Sequence, residues 1–172
     1  MFDKLRKMYF YIILDMVNIL LSGTRFFGLK RKLYRSIGIE VGENTKIVGP
    51  IKIGRIVKIK IGEECWIGSN LSIYGNGEVD IGDRCDLAPD ISIITGSHMI
   101  GTSERRAGGG LSYNYKIGSG TWIGTRATLI NGINIGNGVV IGACSLINKS
   151  CDDNAIYAGC PANKIRQMQG GE

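Results

Sequence analysis

The sequence predicts a mainly β fold, a solenoid of short parallel strands with three sides to each coil. An aliphatic residue recurs at every sixth position and is usually followed by Gly, as in IGSGTW and IGTRAT from Ile117 onward. The same repeat runs earlier, from Val41 to His98. A period this short predicts strands that pair from coil to coil, so that each coil depends on its neighbours. Many of the 26 glycines hold the second place of a hexad, where the backbone must turn tightly.

The first and fifth residues of each hexad are predicted to point into the solenoid. Cys65, Cys85 and Cys151 stand at the fifth position, which elsewhere carries small residues such as Thr45 and Ala127. Because the chain has an odd number of cysteines and no CxxC pair, we interpret these three as core residues rather than disulfide or metal ligands. We expect no metal ion. With no signal peptide recognised, a reducing cytoplasm is the expected location.

Three segments are predicted along the chain: a helical arm at 1–37, a β-helix domain at 38–156 and a tail at 157–172. The repeat stops after the third of five predicted coils, and residues 99–116 are expected to form a mobile loop there. The tail is expected to turn and then continue as a short helix or an extended segment.

The arm carries the net charge of the chain. Residues 1–37 contain eight Lys and Arg against two Asp, a difference of +6 that equals the formal charge of the whole protein. Amphipathic patterns predict a helix over 1–22 and a second over about 25–37, capped by Gly38. The apolar run at 8–21 is interrupted and too short to span a bilayer of about 30 Å. We expect the arm to touch a membrane surface peripherally, to pack against a neighbouring subunit, or to form a solvated face.

Outside the arm, residues 38–172 have no net charge and do not interleave aromatic with basic residues, as nucleic-acid binders do, so no nucleic-acid partner is expected. The hexads, the segments TWIG and IGACS and the tail YAGCPANKIR resemble the hexapeptide-repeat acyltransferases. Within that family the chain is most similar to the sugar and polysaccharide O-acetyltransferases of the galactoside and maltose acetyltransferase type. The resemblance covers about residues 38–168. It implies a left-handed parallel β-helix, acetyl-CoA as co-substrate, a sugar or glycan acceptor, and a homotrimer with active sites between subunits.

His98, the single histidine of the chain, stands at a predicted coil corner just before the loop. A neutral imidazole accepts a proton at cellular pH, and loops project side chains towards clefts. The resemblance implies that His98 is the general base, which takes the proton of an acceptor hydroxyl as that oxygen attacks the thioester carbonyl. A hydrogen-bonded structural histidine is the alternative.

The resemblance also implies a set of co-substrate residues. Trp122 matches a tryptophan near the thioester, and a partly buried packing role is the alternative for this residue. Thr125 and Ala143 match positions along the pantetheine arm. The positions near the nucleotide and its phosphates are Asn148, Lys149, Lys164 and Arg166. Asn148 departs from the threonine of the family, and Lys164 is a candidate replacement for an arginine that the chain lacks.

Four residues are candidates for the acceptor side. Asn70 lies two positions after the place of a family asparagine, on the same strand face. Asn76 replaces an acidic residue that contacts sugar in relatives. Arg105 and Arg106 follow His98 and are expected to close over the substrate, to bind an anionic group or to orient the histidine, with a solvated charge cluster as the alternative.

Other functions stay open at this point. The same shape serves N-acetyltransferases of amino sugars and acetyltransferases of serine or antibiotics. β-Helical carbonic anhydrases hold zinc through three histidines, and this chain has one. A non-enzymatic scaffold would have no affinity for CoA.

Overall fold

The computed structural model describes residues 2–54 and 58–169, with side chains from Lys4 onward. Residue 1 of the predicted arm, residues 55–57 of the first coil and residues 170–172 of the predicted tail lie outside the described residues. The predicted fold class is confirmed: parallel strands stack as a β-solenoid of about six turns behind two N-terminal helices.

The helices are α1, Phe2–Leu20, and α2, Phe27–Ser36. Five complete coils follow, each with three short strands, and residues 151–159 form part of a sixth turn. The first two coils are β1 Glu40–Val41, β2 Lys46–Ile47, β3 Ile51–Ile53, β4 Ile59–Ile61, β5 Trp66–Ile67 and β6 Leu71–Tyr74. The third is β7 Val79–Ile81, β8 Asp86–Leu87 and β9 Ser92–Ile94, followed by the hairpin β10 Gly96–Ile100 and β11 Ala107–Ser112. The remaining strands are β12 Tyr115–Ile117, β13 Trp122–Ile123, β14 Thr128–Leu129, β15 Asn134–Ile135, β16 Val140–Ile141, β17 Leu146–Ile147, β18 Ala155–Gly159 and β19 Ala162–Gln167.

The strands of successive coils pair in parallel and form three flat faces of a prism. Face I is β1-β4-β7-β12-β15, face II is β2-β5-β8-β13-β16-β18-β19, and face III is β3-β6-β9-β14-β17. Equivalent hexad positions stand in register, so that Ile61 pairs with Ile81 and Ile67 with Leu87. A side chain that points out on one coil therefore lies above its equivalent on the next.

The first and fifth hexad residues fill the interior, as predicted. Ile67 and Ile81 are fully buried first residues, and Cys85 and Ala127 are fully buried fifth residues. Aliphatic side chains and small residues suffice because each coil encloses little space. The three cysteines predicted to be core residues are buried and unpaired, whereas Cys144 and Cys160 are exposed.

The helical arm closes the N-terminal end of the prism. The side chain of Asn18 donates to the carbonyl of Ile51 at 2.8 Å and accepts from its N–H at 2.9 Å, so it replaces a missing strand at the edge of face III. Arg35 donates to the carbonyl of Val41 at the edge of face I, and the buried ammonium of Lys30 donates to the carbonyl of Val48. Because an open strand edge invites pairing with other chains, these contacts protect the first coil.

The ends of these helices agree with the predicted signals, and their length limits their role. Gly38 follows α2 in a left-handed conformation, φ +87°, and its N–H donates to the carbonyl of Arg35, which is the predicted cap. In the described part of the chain, no helix combines the length and the hydrophobicity needed to cross a membrane.

Two irregular segments leave the coil pattern. The segment 99–116, expected to be a mobile loop, contains the end of β10 and all of β11, which pair antiparallel, and β12 of the fourth coil begins within it. Three consecutive glycines in β11 hide the alternation that marks a strand. The tail is extended rather than helical, because β19 pairs antiparallel with β18. The predicted boundary at 156/157 falls inside β18.

Candidate active site

The hairpin β10–β11 opens a cleft at the corner where face III passes into face I. Its volume is about 550 Å³, and His98 lies in its wall, on β10 opposite Gly110. The remaining lining residues are Tyr74, Gly75, Asn76, Ile94, Gly96, Ser97, Gly110, Leu111 and Ser112. The sequence placed His98 at this corner, and the structure shows its side chain exposed rather than sealed in the prism.

One hydrogen bond sets the protonation pattern of the imidazole. Nδ1 of His98 lies 3.0 Å from the carbonyl oxygen of Gly108. A carbonyl oxygen can only accept, so Nδ1 carries the proton in the neutral ring and Nε2 keeps its lone pair. Nε2 has no hydrogen-bond partner among the residues that the structure describes. The ring is thus held in the tautomer that a general base needs.

The floor of the cleft depends on a glycine. Gly75 has φ +116°, and a Cβ added to it would lie 2.3 Å from the backbone nitrogen of Gly96. Only glycine adopts this conformation without strain and lets the two chain segments approach so closely. The buried hydroxyl of Thr95 ties the same region together by donating to the carbonyl of Tyr74 at 3.0 Å.

The four candidate acceptor residues do not all meet at this cleft. Asn76 lines it, two residues from the strand end of β6. Arg105 and Arg106 are exposed in the turn of the hairpin and outside the cleft wall, and Arg106 donates to the carbonyl of Gly101 at 3.3 Å. Asn70 lies at a different corner, between faces II and III, where its amide donates to Asp90 at 2.9 Å.

A second cavity lies on the outside of face II. Its volume is about 390 Å³, and Trp66, Asp86 and Trp122 stand in register on its floor, with Pro89 at its rim. Trp122 is 55% exposed, which argues against a packing role within this chain. The three floor residues all occupy the sixth position of their hexads, IGEECW, IGDRCD and IGSGTW, and this shared position is the signal in the sequence that they stand in one row.

The row that contains Trp122 continues along face II to the tail. Trp122 pairs with Val140, Val140 with Ile156, and Ile156 with Arg166 on β19. Neighbouring strands lie about 4.8 Å apart, so three strand spacings place Arg166 roughly 14 Å from Trp122 along the outside of the prism. The side chain of Arg166 is exposed and forms no hydrogen bond or ion pair with the described residues.

Lys164, in contrast, already has an acidic partner. Its ammonium lies 3.1 Å from the carboxylate of Asp152. This hydrogen bond and the charge of Lys164 lower the pKa of Asp152 below its usual value, and the hydroxyl of Tyr157 adds a smaller contribution in the same direction. The positive charge of Lys164 is therefore partly satisfied within the chain.

The other predicted co-substrate residues lie on two different corners. Thr125 and Ala143 follow one another on successive coils between faces II and III, and the hydroxyl of Thr125 donates to the carbonyl of Pro89 at 2.8 Å. Ala143 is exposed at this corner, one coil beyond Trp122. Asn148 and Lys149 lie between faces III and I, at the corner of the His98 cleft but two coils further on.

Within a single chain, the two halves of the predicted site therefore lie on different sides of the prism. His98 lies at the corner between faces III and I, and Trp122 lies on face II, the side of the prism opposite that corner. The lining residues Tyr74, Gly75 and Ser112 of the His98 cleft were also missed by the sequence analysis, because only the hairpin pairing brings them together.

Two family models match the repeat. One, described as bacterial transferase hexapeptide (six repeats), matches residues 114–149, and the other, hexapeptide repeat of succinyl-transferase, matches residues 58–89. These two stretches lie on either side of the hairpin. Residues 58–89 and 114–149 thus match the hexapeptide repeat of this transferase family.

Curated relatives of this family match over part of their length. A chloramphenicol acetyltransferase of Klebsiella aerogenes is 46% identical over 54 residues, which are 31% of this chain and 26% of the relative. An Escherichia coli (strain K12) protein named as a lipopolysaccharide biosynthesis O-acetyl transferase is 43% identical over 51 residues, 30% and 26% of the two chains. Galactoside O-acetyltransferase of the same strain is 35% identical over 75 residues, 44% and 36% of the two chains. The chain thus matches about a quarter to just over a third of these relatives' length.

Solved structures match over more of the chain. A galactoside acetyltransferase in complex with coenzyme A superposes with a TM-score of 0.83, covering 95% of this chain and 81% of that one at 26% identity. A maltose O-acetyltransferase from Clostridium difficile 630 superposes with a TM-score of 0.82, covering 95% and 87% at 24% identity, and shares the fold.

Proposed function

We propose that the protein is an acetyl-CoA-dependent O-acetyltransferase that acts on a sugar hydroxyl. The observation that carries the proposal is the imidazole of His98, which is exposed in an open cleft with Nδ1 held by the carbonyl of Gly108. This arrangement presents an unprotonated Nε2 to a bound hydroxyl. The galactoside O-acetyltransferase relative and the coenzyme A complex of its fold support the choice of substrates.

The reaction follows from this geometry. Nε2 of His98 accepts the proton of the acceptor hydroxyl while that oxygen forms a bond to the thioester carbonyl carbon. The C–S bond then breaks, and the imidazolium returns the proton to the sulfur of the departing CoA. The Gly108 carbonyl stabilises the positive ring in between, because it accepts a hydrogen bond from Nδ1–H in both protonation states. The acetyl group passes directly to the acceptor.

The complete site requires a second copy of the chain. Within one protomer, His98 and Trp122 lie on opposite sides of the prism, so one CoA thioester cannot meet both. We therefore assign the site to a subunit junction of a homotrimer, with His98 from one protomer and face II from its neighbour. The row from Trp122 to Arg166 offers an aromatic side chain for the thioester end and a guanidinium for the phosphates.

The acceptor is assigned to a surface polysaccharide or its precursor, and the enzyme to the cytoplasmic side of the membrane. The relative named for lipopolysaccharide biosynthesis supports this choice. Asn76 in the cleft supplies a neutral amide for a sugar hydroxyl, and Arg105 and Arg106 supply positive charge at the tip of the hairpin. We assign Asn70, at the corner between faces II and III, to the neighbouring protomer's side of the junction.

The test follows CoA thiol release with acetyl-CoA and candidate glycans. We expect His98→Ala to lower kcat about 10²–10⁴-fold, the range for loss of a general base, while leaving acetyl-CoA binding intact. Met99→Ala is the matched control, because its exposed side chain is next to His98 on β10 but outside the cleft wall. Unchanged turnover in the His98 variant would refute the proposed base.

Two other functions are separated by simple measurements. The chloramphenicol acetyltransferase relative favours an antibiotic acceptor as a second candidate, and acetylation of chloramphenicol at a rate equal to or above that of any sugar would support it. A scaffold without enzymatic activity predicts no response to acetyl-CoA. A ligand at 100 times its Kd adds about 2.7 kcal/mol of stability, which for a chain of this size raises Tm by roughly 5–10 °C.

A further inference from the structure

Helix α1 has two apolar faces, and the chain covers only one of them. Phe10, Leu14 and Val17 are buried against the first coil. On the other side, the exposed fractions are 51% for Leu5, 55% for Met8, 56% for Ile12 and 76% for Ile19. We call these four residues the outer stripe of α1. They recur at intervals of three, four and seven residues, and Ile12 projects about 200° away from Leu14 around the helix axis.

The outer stripe is unusual for the end of a solenoid. Terminal caps of repeat proteins normally present a polar outer face, because that face meets water. Here the apolar surface is extended by Leu20, Phe26 and Leu29, which are 71%, 62% and 48% exposed. So many exposed apolar side chains on one short arm indicate a binding partner.

Basic residues lie near both ends of the stripe, and one exposed acidic residue, Asp15, stands between Ile12 and Ile19 on the same side of the helix. Lys4 and Arg6 lie one position either side of Leu5 and so project about 100° to its left and right. Arg25 and Lys32 are exposed near the other end of the arm. In the described part of the chain, no acidic side chain forms an ion pair with these four residues. An apolar stripe between cations is typical of a helix that lies in a membrane interface.

The same charge argues against a second copy of the chain as the partner. A cap-to-cap dimer would bring two arms of net charge +6 against each other, and like charges disfavour such a contact. In a closed ring of protomers with parallel prisms, all arms lie on one side of the assembly.

We propose that the outer stripe of α1 docks on an anionic lipid surface. The aliphatic side chains enter the boundary between headgroups and acyl chains, and Lys4, Arg6, Arg25 and Lys32 lie against lipid phosphates. The helix lies flat rather than crossing, in agreement with its length and hydrophobicity. Several arms on one side of an oligomer would bind together and multiply the affinity. The lipid contact does not depend on the transferase activity proposed above.

The test is co-sedimentation of the full chain with vesicles of phosphatidylglycerol and phosphatidylethanolamine, compared with phosphatidylcholine vesicles. We expect binding to the anionic vesicles and its loss at about 0.5 M salt. Ile12→Ser with Ile19→Ser should lower the partition coefficient at least about tenfold. Ile100→Ser with Ile165→Ser is the matched control, since both isoleucines are exposed outside the arm.

Charge variants test the second half of the proposal. Lys4→Gln with Arg25→Gln should weaken binding about tenfold or more at low salt, whereas Lys52→Gln with Lys60→Gln, on the sides of the prism, should not. Equal binding to neutral vesicles would overturn the proposal. So would a change of oligomeric mass in the Ile12/Ile19 variant without vesicles, because the stripe would then cover another chain. Thiol release with a soluble acceptor, unchanged in the arm variants, keeps this outcome separate from failure of the enzyme assignment.

Discussion

The separation of His98 and Trp122 on opposite sides of the prism makes a quantitative prediction about mixed oligomers. His98→Ala removes the proposed base and leaves face II intact. Ala143→Trp places a bulky ring at an exposed corner of face II, one coil beyond Trp122 and on the proposed path of the pantetheine arm, and leaves the His98 cleft intact. Each variant alone should release CoA thiol at least about 100-fold more slowly than the wild type.

Mixing the two variants should restore activity. Each site is proposed to take His98 from one chain and face II from its neighbour. Such a site is intact only when the chain that supplies His98 is the Ala143 variant and the chain that supplies face II is the His98 variant. Every mixed trimer, whether its composition is two to one or one to two, then contains one intact site out of three, so the purified mixed trimers should recover about a third of wild-type activity. If one chain built the whole site, every site would keep a defect.

The assay needs proven exchange of subunits. The two variants are co-expressed with different tags, the mixed species are purified through both tags, and thiol release is compared with each variant alone. Wild type carrying both tags is the control. Mixed oligomers that stay as inactive as the single variants would refute the assignment of the site to a subunit junction, and a monomeric active protein would refute it as well.

Three further predictions concern stability and charge. Gly118→Ala should lower Tm by roughly 5–10 °C, because its Cβ would lie 2.5 Å from the backbone of the next coil, while Gly28→Ala, with open space around it, should leave Tm unchanged or raise it slightly. Asn18→Ala should cost about 1–3 kcal/mol in denaturant unfolding, since it removes both hydrogen bonds that close the edge of face III; an unchanged midpoint would show that water replaces them. Lys164→Gln should raise the pKa of Asp152 towards its usual value, read from carboxyl chemical shifts. The folded-state pKa of Asp152 is lowered, so its ion pair with Lys164 stabilises the fold at pH values above the ordinary carboxyl pKa. This contribution disappears as the pH falls through the lowered pKa. The difference in stability between the variant and the wild type should therefore disappear in acid.

The arm shows where prediction from the sequence stopped. Its two helices, their approximate ends and the cap at Gly38 follow from local patterns. The pattern of α1 could not show which apolar side is covered, because Phe10 and Ile12 are equally apolar in the sequence. Only the packing of Phe10 against the first coil distinguishes the two faces.

The sequence by itself determined the coil, the residues inside it and the corner at which His98 projects. These properties depend on neighbouring residues and on identical coils stacking one above the next, and a six-residue period describes both. The tertiary structure decided that β10 and β11 pair, that Gly108 holds the His98 ring and that Trp122 lies on the opposite side of the prism. Those properties depend on contacts between segments outside the repeat, or on how three faces close around a common interior, and no local pattern encodes them.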